Sequence, residues 1–213
     1  MSGSIVSPEL RAKVRGLAEP IGRTIARTGL SPNALTLVGF LIACVAATAA
    51  AIGAWLPAGL LVIFGGVFDM FDGMVARATG KVSRAGAFLD SVFDRWGEGV
   101  VYVGIVLGCI VEGFGLGAVL AAVAMSSAFM VSYTRARAES LGFAPPSGMA
   151  AVGLAPREVR LVILTLGLVL TGLVGTANPL LILEIALAAI AVLATITTIQ
   201  RIVVTLRQAT RQA

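Results

Sequence analysis

The chain has 213 residues, of which 58% are apolar and 13% charged, with a net charge of +5 and a mean hydropathy of +0.97. A soluble domain is about a quarter charged, so this composition excludes a soluble globular protein and predicts an all-α integral membrane protein. Histidine is absent, which excludes a Ser–His–Asp triad and His-ligated zinc, and the two cysteines, Cys44 and Cys109, lie in apolar runs and cannot build a four-thiolate site.

Residues 8–28 mix Arg11, Lys13, Arg15, Arg23 and Arg27 with Leu10, Val14, Leu17, Ile21 and Ile25. The apolar positions recur at three- and four-residue intervals and share one helix face, which predicts an interfacial amphipathic helix on an anionic leaflet. No continuous apolar stretch precedes a small-residue site here, so no cleavable signal is expected. Six apolar runs follow, at 34–52, 57–75, 87–111, 116–131, 161–174 and 179–199. Each reaches the roughly 20 residues of a spanning helix with its flanks. The expectation is one membrane domain over 1–213, with a six-helix transmembrane bundle at 33–206. Gly104, Gly108, Ala118, Ala121 and Ala122 suit close helix packing.

The bases are distributed one-sidedly. They precede the first run, lie between the second and third (Arg77, Lys81, Arg84), surround the loop between the fourth and fifth (Arg135, Arg137, Arg157, Arg160), and end the chain (Arg201, Arg207, Arg211). Arg95 alone sits deeper, and the opposite connections carry no base. Lys and Arg accumulate on the cytoplasmic side, so both termini are expected there.

Four aspartates lie inside apolar runs: Asp69 and Asp72 near the end of the second, Asp90 and Asp94 near the start of the third. An ionised carboxylate in hydrocarbon costs a few kcal/mol even on mild scales, and four together repel. The spacings of three and four put each pair on one helix face. A short turn makes the two helices antiparallel neighbours, so the four carboxylates converge below the inner surface. Hard oxygen donors without His or thiolate select Mg²⁺ or Mn²⁺, and two ions would neutralise four carboxylates, as in two-metal centres for displacement at phosphorus. Pairing with Arg77 or Arg95, or an ion pathway, are the other uses of such acids. Arg95 and Glu98, three apart, are expected to pair with each other.

The segment reads Asp69-Met-Phe-Asp72-Gly73-Met-Val-Ala76-Arg77, then, after eight residues, Gly86-Ala-Phe-Leu-Asp90-Ser-Val-Phe-Asp94. It resembles the signature of the CDP-alcohol phosphotransferase family, and eight specified positions over 26 residues all match. The resemblance implies a homodimeric enzyme of a prokaryotic cytoplasmic membrane, with six transmembrane helices and no nucleic-acid partner. It would transfer a substituted phosphoryl group from a CDP-linked lipid alcohol to an acceptor hydroxyl and release CMP. It further implies Asp69, Asp72 and Asp90 as metal ligands, and Asp94 as general base that also touches metal. Asp69, Gly73, Ala76, Arg77 and Gly86 would contact the nucleotide. Ser31-Pro32-Asn33-Ala-Leu-Thr36 resembles the family's entrance to its first helix, which adds Asn33 and Thr36 to that set; an ordinary helix start with Ser31 as cap reads equally well.

Four arginines, Arg135, Arg137, Arg157 and Arg160, flank the loop between the fourth and fifth runs. Guanidinium suits bidentate phosphate binding, so with Ser132 they are expected to hold the phosphate of the acceptor, the alternative being topogenic arginines against lipid headgroups. Ser132-Tyr-Thr-Arg-Ala-Arg137-Ala-Glu followed by Arg157-x-x-Arg160 resembles the branch of prokaryotic phosphatidylinositol phosphate synthases and their archaeal ether-lipid counterparts. That implies CDP-diacylglycerol, or its ether equivalent, as donor and inositol 1-phosphate as acceptor. Arg135 departs from the usual Lys, and Pro156 from an acid, so glycerol 3-phosphate stays open as acceptor. A divalent-cation transporter shares the carboxylate cluster but predicts acids spread across the membrane, and a scaffold gives no reason for the aspartate spacing.

Overall fold

The computed structural model describes residues 30–143, 145, 148–174 and 180–212, with every side chain but those of Met70, Asp72, Ala78 and Gln212. The interfacial helix expected at 8–28 lies outside these residues. Among them are six helices and no strand: α1 (Pro32–Ala51), α2 (Trp55–Ala78), α3 (Arg84–Val111), α4 (Gly115–Ser140), α5 (Arg157–Leu173) and α6 (Leu180–Gln212). A short 3₁₀ turn, Met149–Ala151, lies between α4 and α5.

Local chemistry sets the helix starts. The Ser31 hydroxyl accepts from the Ala34 N–H at 3.2 Å, and Pro32 occupies the first turn, where its missing N–H costs nothing. Ser83 caps α3 likewise, accepting from the Gly86 N–H at 3.0 Å. The α2–α3 turn passes through Gly80 at φ +64°, a left-handed conformation natural to glycine. α4 and α6 run well beyond their apolar runs, to Ser140 and Gln212. Apolarity marks only the stretch facing lipid, and the Arg, Ala and Glu residues that follow are good helix formers.

Four helices, α1, α2, α4 and α6, are long and apolar enough to cross a membrane. α3 has 28 residues but carries Asp90, Asp94, Arg95 and Glu98 in the stretch before Gly99, and α5 has 17. Leu41, Phe64, Leu107, Leu166 and Ile185, on five different helices, point large apolar side chains outward. An outer surface of this kind belongs in lipid, and the chain is a membrane protein.

α1 packs on α2 and α3, α3 on α4, α4 on α6, α6 on α5, and α5 on α2, so the helices close into a ring. Small residues bring backbones together: a Cβ on Gly104 would strike the Ala47 carbonyl, and one on Gly108 the Ala50 carbonyl. Ala118 and Ala121 are buried as expected, whereas Ala122 faces outward. The main core, including Ala46, Trp55, Ile105, Leu168 and Leu187, fills the end of the ring where α1 and α3 finish. Glu112 stays at this end and accepts from Trp55 Nε1 at 3.2 Å, while the aspartates and the described bases occupy the other.

There the α4–α5 connection is tied to α6. The Thr197 hydroxyl accepts from the N–H groups of Leu154 (3.0 Å) and Ala155 (2.9 Å), and Arg201 donates Nε to the Val152 carbonyl at 3.0 Å. Gly153, at φ +117°, makes room for this: a Cβ would collide with the Thr197 methyl.

Candidate active site

α2 ends and α3 begins at the polar end of the ring, and this places Asp69, Asp90 and Asp94 together. One carboxylate oxygen from each lies within 4.8 Å of the others. The side chain of Asp72 lies outside those described. All three carboxylates are half-buried, which lowers the surrounding dielectric and raises the cost of leaving their charge uncompensated.

Two arginines meet that charge. Arg157, the first residue of α5, reaches across with Nη1 2.9 Å from Asp69 Oδ2 and 2.7 Å from Asp94 Oδ2. Arg95 donates Nη1 to Asp94 Oδ2 at 2.9 Å. The expected Arg95–Glu98 pair is therefore not formed, because the two side chains turn to opposite partners. Glu98 is bound by Arg160, with Nε–Oε1 and Nη2–Oε2 both 3.0 Å, while Arg160 Nη1 reaches the Ala155 carbonyl at 3.0 Å.

An open cleft leads to the cluster between α1, α2, α3 and α5, and Thr36, Gly39, Asp69, Asp94 and Arg157 line it. Its deeper wall is apolar, with Phe40, Leu61, Val62 and Leu164. Thr36 thus stands in the cleft. The Asn33 amide oxygen lies 3.4 Å from where a Cβ on Gly86 would stand, so the starts of α1 and α3 meet at this pair. On α2 the Arg77 guanidinium lies over Gly73, 3.3 Å from a Cβ position there. Ala76 is half-buried beside it. The candidate nucleotide residues therefore gather around one end of the α1–α2–α3 layer.

The four arginines expected to form one phosphate pocket divide. Arg135 and Arg137, near the end of α4, are exposed, and Arg135 pairs with Glu139 at 3.1 Å. Ser132 is half-buried one turn earlier. Arg157 Nη1 is paired with Asp69 and Asp94. Arg160 is 1% exposed, with donors from all three of its nitrogens taken by Glu98 and Ala155, so it offers no open phosphate-binding face. Arg201, read from sequence as a topology residue only, is buried and also donates Nη1 to the Val131 carbonyl. Cys44 and Cys109 are free thiols.

A profile of the CDP-alcohol phosphatidyltransferases matches residues 29–208. The chain belongs to this family. It is 36% identical over 194 residues to archaetidylinositol phosphate synthase of Pyrococcus horikoshii, covering 91% of this chain and 93% of that one. It is 34% identical over 206 residues to phosphatidylinositol phosphate synthase of Mycobacteroides abscessus, covering 94% and 87%. Among solved structures, it resembles the Mycobacterium tuberculosis phosphatidylinositol phosphate synthase with CDP-DAG bound, at TM-score 0.78 and 26% identity over 88% of this chain and 92% of that one. The same enzyme with manganese and citrate aligns at TM-score 0.79 and 27% identity, covering 89% and 88%.

Proposed function

We propose that this chain transfers the phosphatidyl-type group of CDP-diacylglycerol, or of its ether-lipid counterpart, to inositol 1-phosphate and releases CMP. The observation that carries this is the convergence of Asp69, Asp90 and Asp94 within 4.8 Å at one end of a membrane bundle of this family. The names of its relatives and the bound CDP-DAG of its structural neighbour support donor and acceptor. Six spans, both termini and the site on the cytoplasmic side of a prokaryotic cell membrane, and a homodimer complete the reading. The one-sided bases support the orientation.

The donor set fits a hard divalent cation: three carboxylates, with Asp72 one turn from Asp69, and no histidine in the chain. Asp69, Asp72, Asp90 and Asp94 would hold Mg²⁺ or Mn²⁺, the manganese of the neighbouring structure supporting the choice. When bound, the ions would offset the diphosphate charge and that of the departing CMP.

The protein's own residues do the rest. Asn33, Thr36, Gly73, Ala76, Arg77 and Gly86 take the nucleotide, the glycines allowing close approach of backbone to ligand. Arg135, Arg137 and Arg157 attract the acceptor phosphate. Asp94, held at the mouth of the cleft, accepts the proton as the acceptor hydroxyl attacks the lipid-bearing phosphorus. A new P–O bond forms, the bridging P–O bond breaks, and CMP leaves with its electron pair.

Purified protein with CDP-diacylglycerol tests this. CMP should appear with Mg²⁺ or Mn²⁺ plus inositol 1-phosphate. Faster release with glycerol 3-phosphate would reassign the acceptor, and metal uptake into sealed vesicles without CMP release would replace the reading by a transporter.

A further inference from the structure

The geometry points to Glu98, acting through Arg160, as a positioning residue that seats Arg157 at the aspartate cluster. This rests on the transferase reading above, in which Arg157 serves the acceptor phosphate.

α3 and α5 are linked by two stacked rungs. Asp94 and Glu98 lie one turn apart on α3, and Arg157 and Arg160 one turn apart on α5. The outer rung, Asp94–Arg157, opens to the cleft, with side chains 12% and 24% exposed. The inner rung, Glu98–Arg160, is buried, at 4% and 1%, with only Glu98 bordering the cleft. α5 packs its backbone on α2 and α6, so its bond to α3 runs through these long side chains across the ring.

A buried ion pair is a poor way to gain stability alone, since apolar residues of similar size hold helices as well. What it supplies is fixed geometry. The guanidinium fork meets both oxygens of Glu98, and the third donor returns to the Ala155 carbonyl, two residues before Arg157. The same segment is held from α6 by Thr197 and Arg201. The start of α5 is thereby fixed from both α3 and α6, and a small turn of that helix would carry Arg157 Nη1 away from Asp69 and Asp94. The outer rung cannot do this itself, because its carboxylates are the ones the cation needs.

The test uses the full-length protein in detergent. Glu98→Leu with Arg160→Met replaces the inner rung by apolar packing without leaving a buried charge. Three readouts are compared with Arg157→Gln and with the triple variant: thermal midpoint, Mn²⁺ affinity by calorimetry, and the kinetics of CMP release. The double variant is expected to melt near the parent and to match the direction of Arg157→Gln. Mn²⁺ should bind about tenfold tighter, and the KM for inositol 1-phosphate should rise about tenfold with the donor KM unchanged, the scale of one charge-assisted hydrogen bond. The triple variant should add little. Parental affinity and KM in a folded double variant, or additive effects in the triple, would overturn the inference. Should the double variant not fold, Glu98→Gln, which keeps the size of the side chain, must show the same direction, and parental values for it overturn the inference equally. The calorimetry needs no turnover, so it reads Glu98 whichever acceptor the enzyme takes. Failure of the parent to bind Mn²⁺ would instead sink the transferase reading, and this inference with it.

Discussion

Arg157 places Nη1 2.7 Å from Asp94, the carboxylate proposed as base, and bridges to Asp69 from the same nitrogen. One cation from α5 therefore occupies the space between acids of α2 and α3 that a divalent ion would take. Guanidinium and metal compete for the same oxygens, so Arg157→Gln should tighten Mn²⁺ binding by about tenfold, the worth of a close charge in a partly buried site. Titration calorimetry on metal-free protein checks this, and weaker binding would show that Arg157 instead supports the metal site.

Removing the proposed base has a different signature. Asp94→Asn keeps the shape but can take no proton from the acceptor hydroxyl, and kcat for CMP release should fall by about 10²–10⁴. Donor KM should change little. Full turnover would move the base to another residue.

Crowding the nucleotide end tests the glycines. A Cβ at Gly86 would lie 3.0 Å from the Ser83 hydroxyl and 3.4 Å from the Asn33 side chain. Gly86→Ala should therefore raise the KM for CDP-diacylglycerol several-fold while the acceptor KM stays put. An unchanged donor KM would remove Gly86 and Asn33 from the nucleotide site.

Arg160 makes a stability prediction. Arg160→Ala leaves Glu98 buried without its counter-charge and should cost about 3–5 kcal/mol. The thermal midpoint in detergent should fall sharply. A parental midpoint would mean that water or another group reaches Glu98.

Thr197 makes a smaller one. Thr197→Val keeps the shape but deprives the Leu154 and Ala155 N–H groups of their acceptor. The expected cost is about 1–3 kcal/mol, read by thermal melting, together with a raised acceptor KM because the start of α5 loosens.

Much was legible from residue order because lipid imposes simple rules. Hydrocarbon demands long apolar helices, so six runs marked six helices, and their ends missed mainly where polar helix formers carried α4 and α6 onward. Charge in that environment is costly, so the aspartates stood out, and the one-turn spacing of Asp90 and Asp94 put those two on one face, where Asp69 meets them. Which base met which acid was not legible. Arg95 and Glu98 sit one turn apart on a shared helix, and a local pair was the natural expectation, yet Asp94 and Arg160 claim them. Spacing along one helix says which side chains share a face. It cannot say what the facing helix brings, because partners such as Glu98 and Arg160 are 62 residues apart and are chosen by the closure of the ring. The membrane character, the helices and the aspartates are thus properties of the chain itself, through hydropathy and periodicity. The division of its arginines, with Arg157 at the acids, Arg160 sealed within and Arg135 outside, is decided by packing, since only the folded ring determines which guanidinium must find its counter-charge inside.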